Sequence, residues 1–310
     1  MKKIILIVLL LILSLLLLKK CSAANNGFDI SDALVPAELI LSGGPQKDGI
    51  PALDKPNFIP TNNARFLNSS DRVLGMNYQG IAKAYPIKIL NYHEIVNDDF
   101  NGHPIIITFC PLCGSGIAYS ANISGKKHHF GVSGLLYNSD VLLYDRETES
   151  LWSQIMNKAI SGPLKGTRLQ TMTLNNTSWQ DWKQRYPDSL VLSNNTGYKR
   201  DYTTNPYRDY QLDNNIWFPV ATKSDSYHPK ALVIGIEING KFKAYPFAEL
   251  EKAGSEITDS FADKSLLVRL NKQHQSGSIF DMKGNELPSV TTFWFAWYAF
   301  HPEGLVFNFE

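Results

Sequence analysis

Cysteine is scarce in this chain. Of three in 310 residues, Cys21 lies in the N-terminal segment, which leaves Cys110 and Cys113 in the body. Two cysteines three positions apart close no long loop, so the fold is not a disulfide-stapled scaffold. An excess of charge of one sign is missing too. Lys and Arg number 30 against 29 Asp and Glu, or 26 against 29 once Lys2, Lys3, Lys19 and Lys20 are set aside, a balance of −3. That balance excludes the electrostatic footprint of a nucleic-acid binder or of a protein held on an anionic membrane surface. The apolar run 4–18 is fifteen residues, broken only by Ser14. As a helix it covers about 22 Å, short of the roughly 30 Å hydrocarbon core of a bilayer. No Gly-x-Ser-x-Gly elbow surrounds Ser153, and the stretch 131–140, although rich in Gly and Ser, lacks a phosphate-loop lysine.

The N-terminus has a pattern of its own. Lys2 and Lys3, the apolar run, and small and polar residues from Ser22 to Gly27 form an export segment. Cleavage after Ala23 or Ala24 makes it a signal peptide; Lys19 and Lys20 directly after the run suit an uncleaved anchor instead. A lipid anchor on Cys21 is a third form, against which the bulky Lys20 counts. Residues 1–24 are therefore expected to carry the protein out of the cytoplasm, secreted or held on the outer face of the membrane. Any membrane contact runs through this segment alone.

The remaining chain of about 285 residues is long enough for a real core. Residues 25–70, rich in Pro, Gly and Asn, read as an irregular lead-in, and 71–310 as a single mostly β body. Short alternating runs at 73–78, 81–85, 104–109 and 141–144 predict strands. The clearest helix is 179–186, where Ser178 and Asp181 make a capping box, Trp179, Trp182 and Tyr186 share one face, and Pro187 ends it. Trp294, Phe295, Trp297 and Phe300 read as one long β run in the core. The fold class is α+β, predominantly β, with mixed or antiparallel sheets.

An internal repeat orders these elements. Val73-Leu74-Gly75, Gly80, Lys83-Ala84-Tyr85-Pro86 and Leu90 recur 160 residues later as Val233-Ile234-Gly235, Gly240, Lys243-Ala244-Tyr245-Pro246 and Leu250. Glu94-Ile95 then matches Glu256-Ile257, and Ser115-Gly116 matches Ser276-Gly277. The unit is a hairpin, a short helix started by proline and a further strand, duplicated at about 73–119 and 233–280.

One motif carries chemistry. Cys110-Pro111-Leu112-Cys113-Gly114 follows a β run, and such a turn directs both sulfurs to one side while Gly114 permits a left-handed backbone. Metal-holding knuckles use this pattern. Thiol–disulfide oxidoreductases use it as well, but they follow the first cysteine with a helix that lowers its pKa. Here a loop and strand follow, and no second cysteine pair exists, so a metal would recruit histidine or carboxylate from elsewhere. His93, just past the first short helix, is the candidate third ligand, since the second copy has Ser255 in its place. His129, on a predicted strand, is the fourth. Copper(I) and zinc both suit sulfur with imidazole. Two other readings stay open: dithiol exchange in which Cys110 attacks and Cys113 resolves, and a binding or scaffold module with an inert disulfide. Asp140, Asp145 and Arg146 are expected to form a partly buried polar network. The loop holding Arg200, Asp201, Tyr202, Tyr207 and Tyr210 offers a wall for a cleft.

Across these stretches the chain resembles domain-of-unknown-function family 3179. The resemblance is carried by Asp48-Gly49-Ile50-Pro51-Ala52-Leu53, His93-Glu94-Ile95-Val96-Asn97-Asp98, the Cys-Pro-Leu-Cys-Gly-Ser turn, 130–146, Ser150-Leu151-Trp152-Ser153-Gln154, 197–202 and 294–302. It implies one member spanning nearly the whole chain from about residue 45, and brings no activity, substrate or cofactor with it.

Overall fold

The computed structural model describes residues 25–309, so the segment 1–24, expected to direct export, lies outside the described residues. Among the described residues no helix is long and apolar enough to cross a membrane. The body is mostly β, with two five-stranded and three four-stranded sheets in a propeller-like arrangement and one two-stranded ribbon.

The first hairpin pairs Arg72–Tyr78 with Ile81–Pro86, in register from Val73↔Pro86 to Tyr78↔Ile81. Pro86 fixes φ at the entry to the one-turn helix Ile87–Leu90. A meander follows, Ile95–Phe100, His103–Cys110 and Ser115–Ser120. After an intervening stretch, Asn175–Ser178 pairs back onto Arg72–Tyr78 and leads into helix Trp179–Arg185, where Ser178 Oγ accepts the Asp181 amide as its cap. Strand Leu190–Leu192 then lies parallel to Ile81–Pro86.

Later in the chain, Leu232–Ile238 and Lys241–Pro246 pair from Val233↔Pro246 to Ile238↔Lys241, and helix Phe247–Ala253 follows. The meander Glu256–Phe261, Lys264–Asn271 and Ser276–Asp281 comes next. Val290–Phe293 pairs onto Leu232–Ile238, helix Trp294–Phe300 follows, and Leu305–Val306 lies parallel to Lys241–Pro246.

The residues shared by the two segments have visible packing roles. Lys83 and Tyr85, two apart on one strand and so on one face, both reach Asp98: Nζ at 2.8 Å and the phenol at 2.5 Å. Lys243 and Tyr245 reach Asp259 in the same way, at 2.5 and 2.7 Å. Gly75 lies under the Trp182 indole and Gly235 under that of Trp297; a Cβ would stand 2.1 Å and 1.9 Å from the two rings. Gly116 makes room for Leu74, and Gly277 for Ile234.

The expectation of a β run through 294–300 is corrected: only Val290–Phe293 is strand, and Trp294–Phe300 is helix. Helical spacing puts Trp294 against Tyr298 and lays Trp297 on Gly235, which alternation along a strand would not do.

Between these segments lies a sheet of Phe130–Tyr137, Asp140–Asp145, Leu151–Ser153 and Lys158–Ser161, edged by Ile40–Ser42 from the lead-in. Its side chains meet the cysteine turn in one core holding Phe130, Trp152, Cys110, Cys113 and, from the far end of the chain, Phe293.

Candidate metal centre

Cys110 ends its strand paired with Ser115, and the turn between them carries Gly114 at φ 62°, in the left-handed region where glycine is favoured. That turn is tied down from three sides. Cys113 O accepts from Phe293 N at 2.8 Å and from Thr292 Oγ1 at 2.9 Å, while Leu112 O accepts from the Tyr210 hydroxyl at 3.0 Å. The Phe293 ring packs against Gly114 so closely that a Cβ there would meet it at 2.9 Å. The cysteines are thus fixed by residues about 100 and 180 positions away.

Facing the turn is the tip of the hairpin between Phe130–Tyr137 and Asp140–Asp145. Asn138 and Ser139 both have positive φ, 50° and 64°, the geometry of a two-residue hairpin loop. Asn138 pins the tip by donating to Ala299 O and accepting from Ala221 N. The tip presents Ser139 O to both sulfurs, 3.8 Å from Cys110 Sγ and 3.4 Å from Cys113 Sγ. It also brings in Asp140. Ligand atoms of Cys110, Cys113 and Asp140 lie within 4.8 Å of one another, and all three residues are buried. The two sulfurs are not bonded to each other.

The electrostatics of this cluster are those of acids without a base. Burial raises the Cys110 thiol above its ordinary range and the Cys113 thiol well above it. Burial also pushes Asp140 up to about 7. Glu94, nearby, is pushed up to about 8 by burial and then by the Asp140 charge. Asp140 Oδ2 accepts from Ile155 N at 3.0 Å, but Oδ1 is buried with no hydrogen-bond partner, as is Ser139 Oγ. Gln154 braces the floor, linking Ser115 and Thr108 at 2.7 and 2.8 Å.

The expected imidazole ligands lie elsewhere. His93 is fully buried, with Nδ1 2.8 Å from Pro51 O and Nε2 2.6 Å from the Tyr202 hydroxyl. A carbonyl only accepts, so Nδ1 carries the proton and Nε2 accepts from Tyr202, leaving no lone pair for a metal. Burial lowers its pKa, which keeps the ring neutral. The ring is a clamp between the lead-in and the 196–204 loop. His93→Ala is expected to cost about 1–3 kcal/mol of stability while leaving bound metal unchanged, readable by thermal melts beside elemental analysis. His129 is half-exposed and pairs with Glu147 at 2.8 Å, so it too is corrected as a ligand of this cluster. Its neighbour His128 belongs to a second group, with Asp145 and Glu147.

The match of His93 to Ser255 is corrected as well. Phe109 N donates to Glu94 O as Leu270 N donates to Ser255 O, so Ser255 takes the place of Glu94, and Glu256 that of Ile95 rather than of Glu94. Nor do Asp140, Asp145 and Arg146 form one network. Asp145 holds His128, Thr148 and the Trp152 indole, whereas Arg146 meets Asp48 and Asp54 at the surface.

Sequence reasoning missed Asp140 as a partner of the cysteines. The available signal was Asn138-Ser139 between two apolar runs, which marks a tight hairpin with Asp140 at its exit. Nothing local says which turn that tip faces.

A mostly β body with a buried dithiol–carboxylate cluster is what fold and site define. Residues 47–304 match a family described as "Protein of unknown function (DUF3179)", and the chain belongs to that family. No curated protein and no solved structure matches it.

Proposed function

We propose that this protein binds one thiophilic divalent metal ion, zinc in the first place, through Cys110, Cys113 and Asp140. The observation that carries the reading is Asp140 Oδ1, a fully buried carboxylate oxygen with no partner, beside two buried thiols. Keeping a half-satisfied carboxylate charged in the interior is costly, which is why burial lifts Asp140 to about 7, and a dication offsets that cost as no neighbouring side chain does. Two sulfurs with a carboxylate oxygen suit zinc, at about 2.3 Å to sulfur and 2.0–2.2 Å to oxygen. Copper(I) prefers soft donors alone, so the carboxylate argues for zinc over copper. Imidazole is no longer part of the ligand set.

Thiol exchange fits less well. It needs an accessible thiolate, and both sulfurs are buried with their pKa raised rather than lowered. The working place is outside the cytoplasm, on the strength of the 1–24 pattern, where bound metal would keep the pair from oxidising.

We further propose that 73–119 and 233–280 descend from one duplicated unit and that only the first copy binds metal. Support comes from the matching hairpin registers, the paired Lys–Tyr–Asp triads and the two indole-on-glycine contacts. Cys110 pairs with Ser115 as Asn271 pairs with Ser276, so Asn271 corresponds to Cys110 and His274 to Cys113.

Asp140→Asn separates a ligand from a structural acceptor. It should weaken zinc binding roughly 10–100-fold and leave the metal-free protein equally or more stable, because an acid that burial disfavours in its charged form is removed. A metal-free protein destabilised by about 1 kcal/mol with zinc affinity unchanged would mark Asp140 as a mere acceptor for Ile155. The pH dependence has a definite sign. Both thiols hold their protons at neutral pH, and Asp140 titrates at about 7. Each zinc bound therefore releases two protons above that pH and close to three below it, so affinity falls about 100-fold per unit near pH 8 and more steeply towards pH 6. Competition with a chromophoric chelator between pH 6 and 8 measures this slope; a flat profile would exclude thiolate ligation.

A further inference from the structure

A cavity of about 160 Å³ adjoins the cysteine turn. Leu112, between the two cysteines, and Val141, next to Asp140, form part of its wall; Tyr207, Trp217 and Phe218 cover it from the 205–220 segment. Glu94 is the one charged side chain on the lining among the described residues. It is 6% exposed, and its carboxyl makes no hydrogen bond or ion pair with any described residue. It is also held in place: at φ 57° its backbone is left-handed, with its N–H on Leu90 O and its carbonyl on Phe109 N, both at 2.7 Å. A residue so fixed, on the lining of an otherwise uncharged cavity, is placed to act as a recognition group.

We infer that this cavity is a binding site for a small organic ammonium ion, with Glu94 as its counter-ion. The choice of class follows from the walls. Burial pushes the Glu94 carboxyl up to about 8 and so keeps it mostly protonated on its own; a cation beside it restores the charged form, and no basic side chain lines the cavity to supply one. An inorganic cation needs six or more oxygen ligands, or several retained waters, and one carboxyl among aliphatic and aromatic walls does not provide them. An alkylammonium brings its own apolar substituents to those walls, and the faces of tryptophan, tyrosine and phenylalanine attract it. The Trp217 ring lies 4.7 Å from that of Tyr210 and 6.3 Å from that of Tyr207, tilted against both, so the cover is an aromatic cluster. That cover is anchored: the Lys230 ammonium donates to the carbonyls of Tyr210, Asp213 and Asn215, the last at 2.8 Å. The volume is that of roughly five waters at about 30 Å³ each, which sets the ligand at a handful of heavy atoms. This site stands beside the proposed metal centre; Glu94 feels the Asp140 charge, so zinc on Asp140 is expected to change ligand affinity here without being required for it.

The test uses full-length protein and two probes of one shape: choline, and its uncharged counterpart 3,3-dimethylbutan-1-ol. Binding is followed by calorimetry and by the fluorescence of the half-exposed Trp217. Choline should bind roughly tenfold or more tightly than the alcohol. Glu94→Gln should erase that preference, Glu94→Asp should keep it at reduced affinity, and Trp217→Ala should weaken choline several-fold without loss of circular-dichroism signal. Equal binding of the two probes, no binding of choline, or a preference that survives Glu94→Gln overturns the inference. Running the titrations with zinc and with chelator separates the two sites. Choline binding that persists in protein unable to take up zinc leaves this site standing and removes the metal reading; zinc uptake without choline binding does the reverse.

Discussion

Cys110→Ser/Cys113→Ser is expected to abolish zinc binding altogether. Serine keeps the size of the side chain but not its chemistry: a hydroxyl stays protonated where a thiol gives up its proton to the metal. Of the three proposed ligands only Asp140 remains, and a single carboxylate does not hold zinc against a weak chelator. Affinity should drop by on the order of 10⁴-fold or more, given that structural zinc contributes about 10–16 kcal/mol where the site is complete. The fold should survive metal loss, because the turn is also fixed by Phe293, Thr292 and Tyr210. Elemental analysis of purified variant and parent, with a melt of each, reads both quantities. Stoichiometric zinc retained in the double variant would end the proposal.

The largest effect on stability is expected from Lys83→Met. Lys83 and Asp98 form an ion pair at 2.8 Å with side chains 9% and 6% exposed, and the ammonium also donates to Asp99 O at 2.8 Å. Its Nζ lies 4.6 Å from the centre of the Phe58 ring and 4.3 Å from that of Phe100. Methionine fills much of that space but strands the Asp98 carboxylate in the interior, and breaking a buried pair from one side costs about 3–5 kcal/mol. At roughly 2–4 °C per kcal/mol for a body of this size, the melting point should fall on the order of ten degrees. Lys243→Met provides the internal control. Its partner Asp259 is 17% exposed, so water relieves part of the stranded charge and the loss should be clearly smaller. Equal small losses at both positions would mean that neither pair is buried in solution.

Those two lysines also show what was legible in the sequence. Lys-Ala-Tyr-Pro recurs because a strand places Lys and Tyr on one face, where both reach the Asp of the next hairpin, and proline starts the helix beyond. Each of those reasons is local, so the pattern appears in the residues themselves. The Trp179 helix was legible for the same reason, since cap, stripe and stop lie within ten positions. Helix Trp294–Phe300 was not, because a run of aromatics suits a strand equally well until Gly235 is known to lie beneath Trp297. The site divides along the same line. Cys110 and Cys113 declare themselves by spacing, whereas Asp140 joins them only when a separate hairpin folds over the turn, and contacts of that kind leave no periodic trace. His93 misled for a physical reason: a fully buried histidine next to a functional segment looks the same in sequence whether it holds a metal or a carbonyl.

The ligand set itself is the most direct test of this account. X-ray absorption at the zinc edge of the loaded protein should show two sulfur scatterers near 2.3 Å, oxygen at about 2.0–2.2 Å, and none of the outer-shell signature of imidazole. A spectrum without sulfur, or one with histidine in the first shell, would contradict it.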